Sequence, residues 1–108
     1  MFGGDAIKGN VEFLLLGVLR EGPAHGYGLI VRLRERSNGA FDLAEGTIYP
    51  ALQRLERAGR VESSWSSESG RRRRVYELTP VGEAALQTGR AEWAAFARGV
   101  QAVLEPGT

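Results

Sequence analysis

Chemistry in this chain has to be built with few reactive side chains. There is one histidine, His25, and no cysteine, so a thiolate metal site, a cysteine nucleophile and a disulfide framework are excluded. A Ser-His-Asp triad would have to run through His25, and a multi-histidine metal site cannot form within one chain. His25 sits between Ala24 and Gly26, where a capping or core hydrogen-bond role outweighs catalysis. No nucleophile is paired with a base, and the carboxylates read as scattered surface charges, so an enzyme ranks a distant third among the readings. What the chain does hold is arginine. Lys8 is the only lysine among fourteen basic residues, and the guanidinium suits planar, bidentate contact with phosphate or guanine. A GC-rich genome enriches arginine equally, so clustering matters more than the count. Two arrangements stand out: the run Arg71 to Arg74, and the series Tyr49, Gln53, Arg57 at a spacing of four.

The elements that carry these groups fit one compact soluble domain. The chain has 108 residues, 43% hydrophobic and 25% charged, with a net charge of +1, so any basic surface comes from local clustering and not from bulk charge. The most apolar stretch, Val11 to Leu19, contains Glu12 and Gly17 and has about half the length needed to span a bilayer. Arg20-Glu21-Gly22-Pro23 follows it where a signal peptide would have a small-residue cleavage site. The expectation is a cytoplasmic protein without a membrane segment.

Hydrophobic spacing predicts four helices and a hairpin. Val11, Leu14, Leu15, Val18 and Leu19 repeat with helical period after Asn10, a candidate N-cap, and Phe13 and Leu16 widen the stripe. A second helix starts near His25, with Leu29, Ile30, Val31 and Leu33 on an apolar side and Arg32, Arg34, Glu35 and Arg36 solvated; Ser37-Asn38-Gly39 stops it. Gly26 and Gly28 near its start imply close packing or close approach of a partner. The third helix opens around Gly46 or Thr47, accepts Pro50 in its first turn and ends at Gly59. Ile48, Ala51, Leu52, Leu55 and Ala58 share one side, which puts Tyr49, Gln53 and Arg57 on the other, flanked by Thr47, Arg54 and Glu56. Val61 to Trp65 and Arg74 to Leu78 alternate at period two around a turn-rich loop, forming a hairpin. Thr79 and Pro80 read as N-cap and first residue of a last helix reaching about Leu104, some 25 residues or roughly 37 Å.

Helix, helix, helix, hairpin, helix is the order of a winged helix-turn-helix: mainly α, with a small β-hairpin. Residues 1–78 form the winged-helix part and 79–108 a C-terminal dimerisation helix, within one compact unit. In that arrangement the third helix enters a major groove and the hairpin reaches the adjacent backbone or minor groove. Arg74 shares a strand face with Tyr76 and Leu78, so Arg71, Arg72 and Arg73 are the better wing contacts. Lys8 adds a candidate phosphate contact at the entrance to the first helix. Tyr27 reads as core packing with its hydroxyl bonded. In the last helix Leu86, Trp93 and Val100 form one heptad series and Gly89, Phe96 and Val103 the other, an apolar seam that a partner helix should cover.

Several strings together resemble the PadR-like transcriptional regulators. They are Lys8-Gly9-Asn10 leading into Phe13-Leu14-Leu15-Leu16-Gly17, then Gly22-Pro23-Ala24-His25-Gly26-Tyr27, Gly46-Thr47-Ile48-Tyr49-Pro50-Ala51-Leu52, Arg54-Leu55, Gly70-Arg71-Arg72-Arg73 and Tyr76-Glu77-Leu78-Thr79-Pro80-Val81-Gly82. The resemblance implies a homodimer on a pseudo-palindromic operator in double-stranded DNA, usually a repressor, joined through the C-terminal helix and without a cofactor. The start Thr79-x-x-Gly82 followed by Trp93 is similar to small multidrug-binding members, in which a tryptophan from each subunit lines a cavity between the C-terminal helices. It implies a small aromatic effector at Trp93, with Phe96, Leu86, Val100 and Val103 around it; plain dimer-core packing of Trp93 is the competing reading. The competing function is a winged helix for protein recognition or ligand sequestration that does not bind DNA.

Overall fold

A computed structural model describes residues 9–107. The elements are α1 (Val11–Leu19), β1 (Ala24–His25), α2 (Gly26–Arg36), α3 (Glu45–Arg57), β2 (Val61–Ser66), a short 3-10 turn (Glu68–Gly70), β3 (Arg73–Leu78) and α4 (Pro80–Leu104). Lys8 lies outside the described residues.

The core forms where the apolar stripes of the helices meet. Leu15 of α1, Leu29 of α2, Ile48, Leu52 and Leu55 of α3 and Leu86 of α4 are fully buried, and Val61 and Tyr76 close the core from the sheet. α1 buries Val11, Leu15, Leu16, Val18 and Leu19, which is why its stripe is wide: it lies in the middle of the domain, in contact with α2, α3 and α4. At its end the Arg32 side chain, expected to be solvated, donates to the carbonyls of Val18 (3.3 Å), Gly22 (2.7 Å) and Pro23 (3.2 Å). The Val18 carbonyl also accepts from the Glu21 N–H at 3.2 Å, and Gly22 and Pro23 lie in the turn after the helix, so Arg32 ties the end of α1 and that turn to α2. α2 stops as its residues predict: Asn38 and Gly39 take positive φ, and the Gly39 N–H bonds back to the Arg34 carbonyl at 2.8 Å.

Two boundaries differ from expectation. α3 begins at Glu45, so Pro50 is its sixth residue and lies inside the helix. Pro50 brings no N–H to the Gly46 carbonyl, which is tolerable because Gly46 is exposed to water. The hairpin gains a third strand, in the order β1-β3-β2, with Ala24 opposite Tyr76 and His25 opposite Val75. Two residues carry no readable alternation, so β1 leaves no trace in the sequence.

α4 begins as expected. Thr79 Oγ1 accepts from the Gly82 N–H at 3.1 Å and donates to the Gly59 carbonyl at 2.6 Å. Gly82 lies directly against the Arg60 carbonyl, where no β-carbon fits. Further along, the Phe13 ring packs on Gly89. The heptad assignment of Leu86 therefore needs correction: it is 2% exposed and belongs to the protomer's own core. The first three turns of α4 are used up by packing within the protomer, and the rest projects from the domain, giving a long axis of 63 Å.

Candidate nucleic-acid interface

The outer face of α3 is arranged as its periodicity predicts. Ile48, Ala51, Leu52 and Leu55 are buried, while Thr47, Tyr49, Gln53, Arg54 and Arg57 are exposed. Ala58, expected on the inner side, is exposed. The exposed groups are not equally free. The Tyr49 ring lies over the first residue of α2, so close that a β-carbon on Gly26 would stand 2.5 Å from Tyr49 Cε1. The glycine is there because the tyrosine crosses it. Arg54 Nε donates to Glu12 Oε2 of α1 at 3.0 Å, which ties it to the protomer as well as leaving it half open to solvent. Gln53 and Arg57 project without such a tether among the described residues.

The wing is fixed to α3 through Glu56, whose Oε2 accepts from Ser63 Oγ at 2.7 Å and lies 3.9 Å from Arg74 Nη2. Arg74 also donates to Ser63 Oγ at 2.8 Å. On the same sheet face, the Arg72 and Arg74 guanidiniums stand 4.5 and 5.3 Å from the centroid of the exposed Trp65 ring, which stiffens two long side chains by cation–π contact. Arg73 belongs to the other face. It lies across from Ser66 and two residues from Val75, which pairs with His25. The three wing arginines are thus exposed but divided between two faces of the sheet, as strand alternation requires.

His25 caps α2, its Nδ1 accepting from the Gly28 N–H at 3.1 Å, in line with the capping role. Its Nε2 lies 2.7 Å from Arg73 Nη1. Burial, with help from Arg73 and Arg32, holds its pKa below the ordinary histidine value. Burial raises the Tyr76 phenol against the opposing pull of Arg74. Tyr27 is 57% exposed and so is not core packing; it stands one residue into α2, beside the cap.

A separate set of residues is gathered at the projecting part of α4. Trp93 is 53% exposed and Val103 82%, with Phe96 and Val100 also open, and the Trp93 and Phe96 rings stand 5.8 Å apart at 32°. Both rings line a groove of about 970 Å³ between α1 and α4, together with Asn10, Glu12, Phe13 and Gly89. Leu86 is absent from this groove.

The roles of Glu12, Glu56 and Arg32 are not legible in the sequence, since each depends on a partner on another element. Among the described residues no group of three His, Cys, Asp or Glu side chains could hold a metal ion, and no helix is long and apolar enough to cross a membrane.

Known proteins place this arrangement in a family. Residues 15–88 match the PadR-like family of transcriptional regulators. The chain is 42% identical over 67 residues to Transcriptional regulator Rv3488 of Mycobacterium tuberculosis, covering 62% of this chain and 63% of that protein. A transcriptional regulator from Clostridium thermocellum superposes with a TM-score of 0.86 at 28% identity, covering 94% of this chain and all of that one. A PadR family transcription regulator from Clostridium difficile does so with a TM-score of 0.80 at 32% identity, over 89% of this chain and 99% of that one. With its family match, its winged helix and its long C-terminal helix, the chain belongs to the PadR-like family of transcriptional regulators, which are not enzymes.

Proposed function

We propose that the protein is a cytoplasmic homodimer that represses transcription by binding a pseudo-palindromic operator, reading bases with α3 and holding the backbone with the wing. The observation that carries this reading is the split of α3, with Ile48, Ala51, Leu52 and Leu55 buried and Tyr49, Gln53 and Arg57 outward. Thr47 and Arg54 flank the reading face; Arg71, Arg72 and Arg73 supply phosphate contacts, and Lys8 adds one at the entrance to α1. In this reading residues 1–78 contact DNA and 79–108 join the protomers, through Trp93, Phe96, Val100 and Val103. Titration of labelled DNA from upstream of the protein's own gene tests it. Affinity should fall steeply with added salt as counterions compete, and a reporter under that DNA should be silenced. Absence of salt-dependent binding would favour a protein-recognition module.

The Trp93–Phe96 pair supports a second element, a planar aromatic effector held at the dimer interface. In a Trp65→Phe background such a compound should quench Trp93 fluorescence, and Trp93→Ala should abolish binding while the dimer persists. Dissociation of that variant, with no quenching in its parent, would assign Trp93 to dimer packing alone.

A further inference from the structure

The surroundings of His25 hold one hydrogen-bond donor too many. Gly28 is the third residue of α2, so its N–H has no acceptor within the helix, and His25 Nδ1 accepts it at 3.1 Å. A neutral imidazole that accepts at Nδ1 carries its proton on Nε2. Arg73 Nη1 lies 2.7 Å from Nε2, and a guanidinium only donates. Two N–H groups therefore converge. The other tautomer moves the conflict to the Gly28 N–H, and the imidazolium adds a donor. An oxygen acceptor standing before both groups resolves it.

The neighbourhood favours an anionic acceptor. His25, Ser66, Arg71, Arg73 and Val75 line a depression of about 190 Å³, with Glu68 as its one carboxylate. Ser66 faces Arg73 directly across the β2–β3 ladder, and His25 faces Val75 across β1–β3, so one sheet face presents a hydroxyl, an imidazole and a guanidinium in a row. The depression has room for a tetrahedral oxyanion. The site lies where the wing meets the start of α2, and in helix-turn-helix proteins the helix before the recognition helix crosses the nucleic-acid backbone.

We propose that His25, Arg73, Arg71 and Ser66 form a subsite for one backbone phosphate of duplex DNA, with His25 Nε2–H and the Arg73 guanidinium donating to the same phosphodiester. The subsite rests on the DNA-binding reading and gives the neutral His25 a second role beside its cap; the imidazolium keeps the phosphate contact through Nε2–H but gives up the Gly28 cap, which needs an unprotonated Nδ1. The subsite also predicts proton uptake. Burial, then Arg73 from the wing and Arg32 from α2, oppose protonation of the ring, while Arg71 and Glu68 line the same depression; a phosphate in contact with Nε2–H stabilises the imidazolium.

His25 is the only histidine, so imidazole ¹⁵N NMR observes this site alone. Saturation with a short random-sequence duplex at low salt should raise the His25 pKa and shift Nε2, while inorganic phosphate at the same phosphate concentration should do so far less. His25→Asn keeps a capping acceptor but lacks the ring donor. It should bind specific and random duplexes about tenfold more weakly and lose the rise in affinity at lower pH. Arg73→Gln leaves the cap intact and serves even if the first variant fails to fold: it should abolish the duplex-induced pKa rise and reduce the salt slope by about 0.9. Wild-type binding to duplex with an unmoved His25 resonance, or an equal response to inorganic phosphate, overturns the subsite alone. A wild type that binds no duplex in a salt-dependent way overturns the DNA-binding reading, and the subsite with it.

Discussion

Replacing Gly26 by alanine should damage DNA binding more than stability. Gly26 is the first residue of α2, and a β-carbon there would lie 2.5 Å from Tyr49 Cε1 and 2.6 Å from Cζ and Oη. Carbon atoms rest at about 3.5–4.0 Å, so the ring must retreat by roughly 1 Å or more. Tyr49 is 39% exposed and its ring is the far end of a flexible side chain, so the ring swings outward and the helices stay together. The stability loss should fall at the low end of the ~1–3 kcal/mol seen for overpacking. Displacing Tyr49 from the groove should cost about 1–3 kcal/mol of binding, roughly 5- to 150-fold in affinity. Thermal melts and anisotropy titrations of operator DNA measure the two effects separately. In a Tyr49→Ala background the alanine should add no further loss, because the clash and the contact have both gone. Wild-type affinity for Gly26→Ala, or an equal loss with and without Tyr49, would refute the idea that the glycine exists to position the tyrosine.

Three other outcomes follow from the same geometry. Leu86→Ala should lower unfolding free energy by about 2–5 kcal/mol, whereas Val103→Ala, at a position 82% exposed in the protomer, should mainly weaken dimerisation; denaturant titration and sedimentation separate them, and the reverse pattern would restore Leu86 to the seam. Replacing Arg71, Arg72 and Arg73 together by alanine should flatten the plot of log affinity against log salt by up to about 0.9 per phosphate released, on random and specific DNA alike, and an unchanged slope would remove the wing from the duplex. Because the folded-state pKa of His25 lies below its ordinary 6.5, the unfolded chain takes up the proton first as pH falls. Its contribution to stability is whole above about pH 6.5 and is lost on descending through the lowered folded value, a dependence that His25→Asn should erase in urea titrations at stepped pH.

Features set by periodicity or by local capping were legible in the sequence. The inner and outer faces of α3, the strand alternation of the wing and the Thr79-Pro80 start of α4 depend only on neighbours within four residues, and they stand where spacing puts them. The rest depends on which elements meet. Heptad arithmetic describes one helix, and it placed Leu86 on a seam because it could not include α1 lying against the first turns of α4. Arg32 reads as a solvated cation until the loop from Gly22 to Pro23 brings its carbonyls within reach. α3 starts one or two residues before the spacing places it, because Ala44 offers no capping side chain and Pro50 favours a later boundary. The contact of His25 with Arg73 spans 48 positions and needs the β1–β3 pairing, which two residues cannot announce. For the candidate site the residue types pointed to the face of α3 that is exposed, and the structure added the restraints: Gly26 beneath Tyr49, Glu12 holding Arg54, Glu56 anchoring the wing.

Selection of bound duplexes from a randomised pool, carried out in parallel on the wild type and Arg57→Ala, tests most directly that a dimer of this chain reads DNA with α3. The wild type should enrich an inverted repeat whose half-site centres lie about one helical turn, ~10 base pairs, apart. Arg57→Ala should enrich the same spacing with preference relaxed at the corresponding position in each half-site. No enrichment above the input pool, or an identical motif from both proteins, would contradict the account.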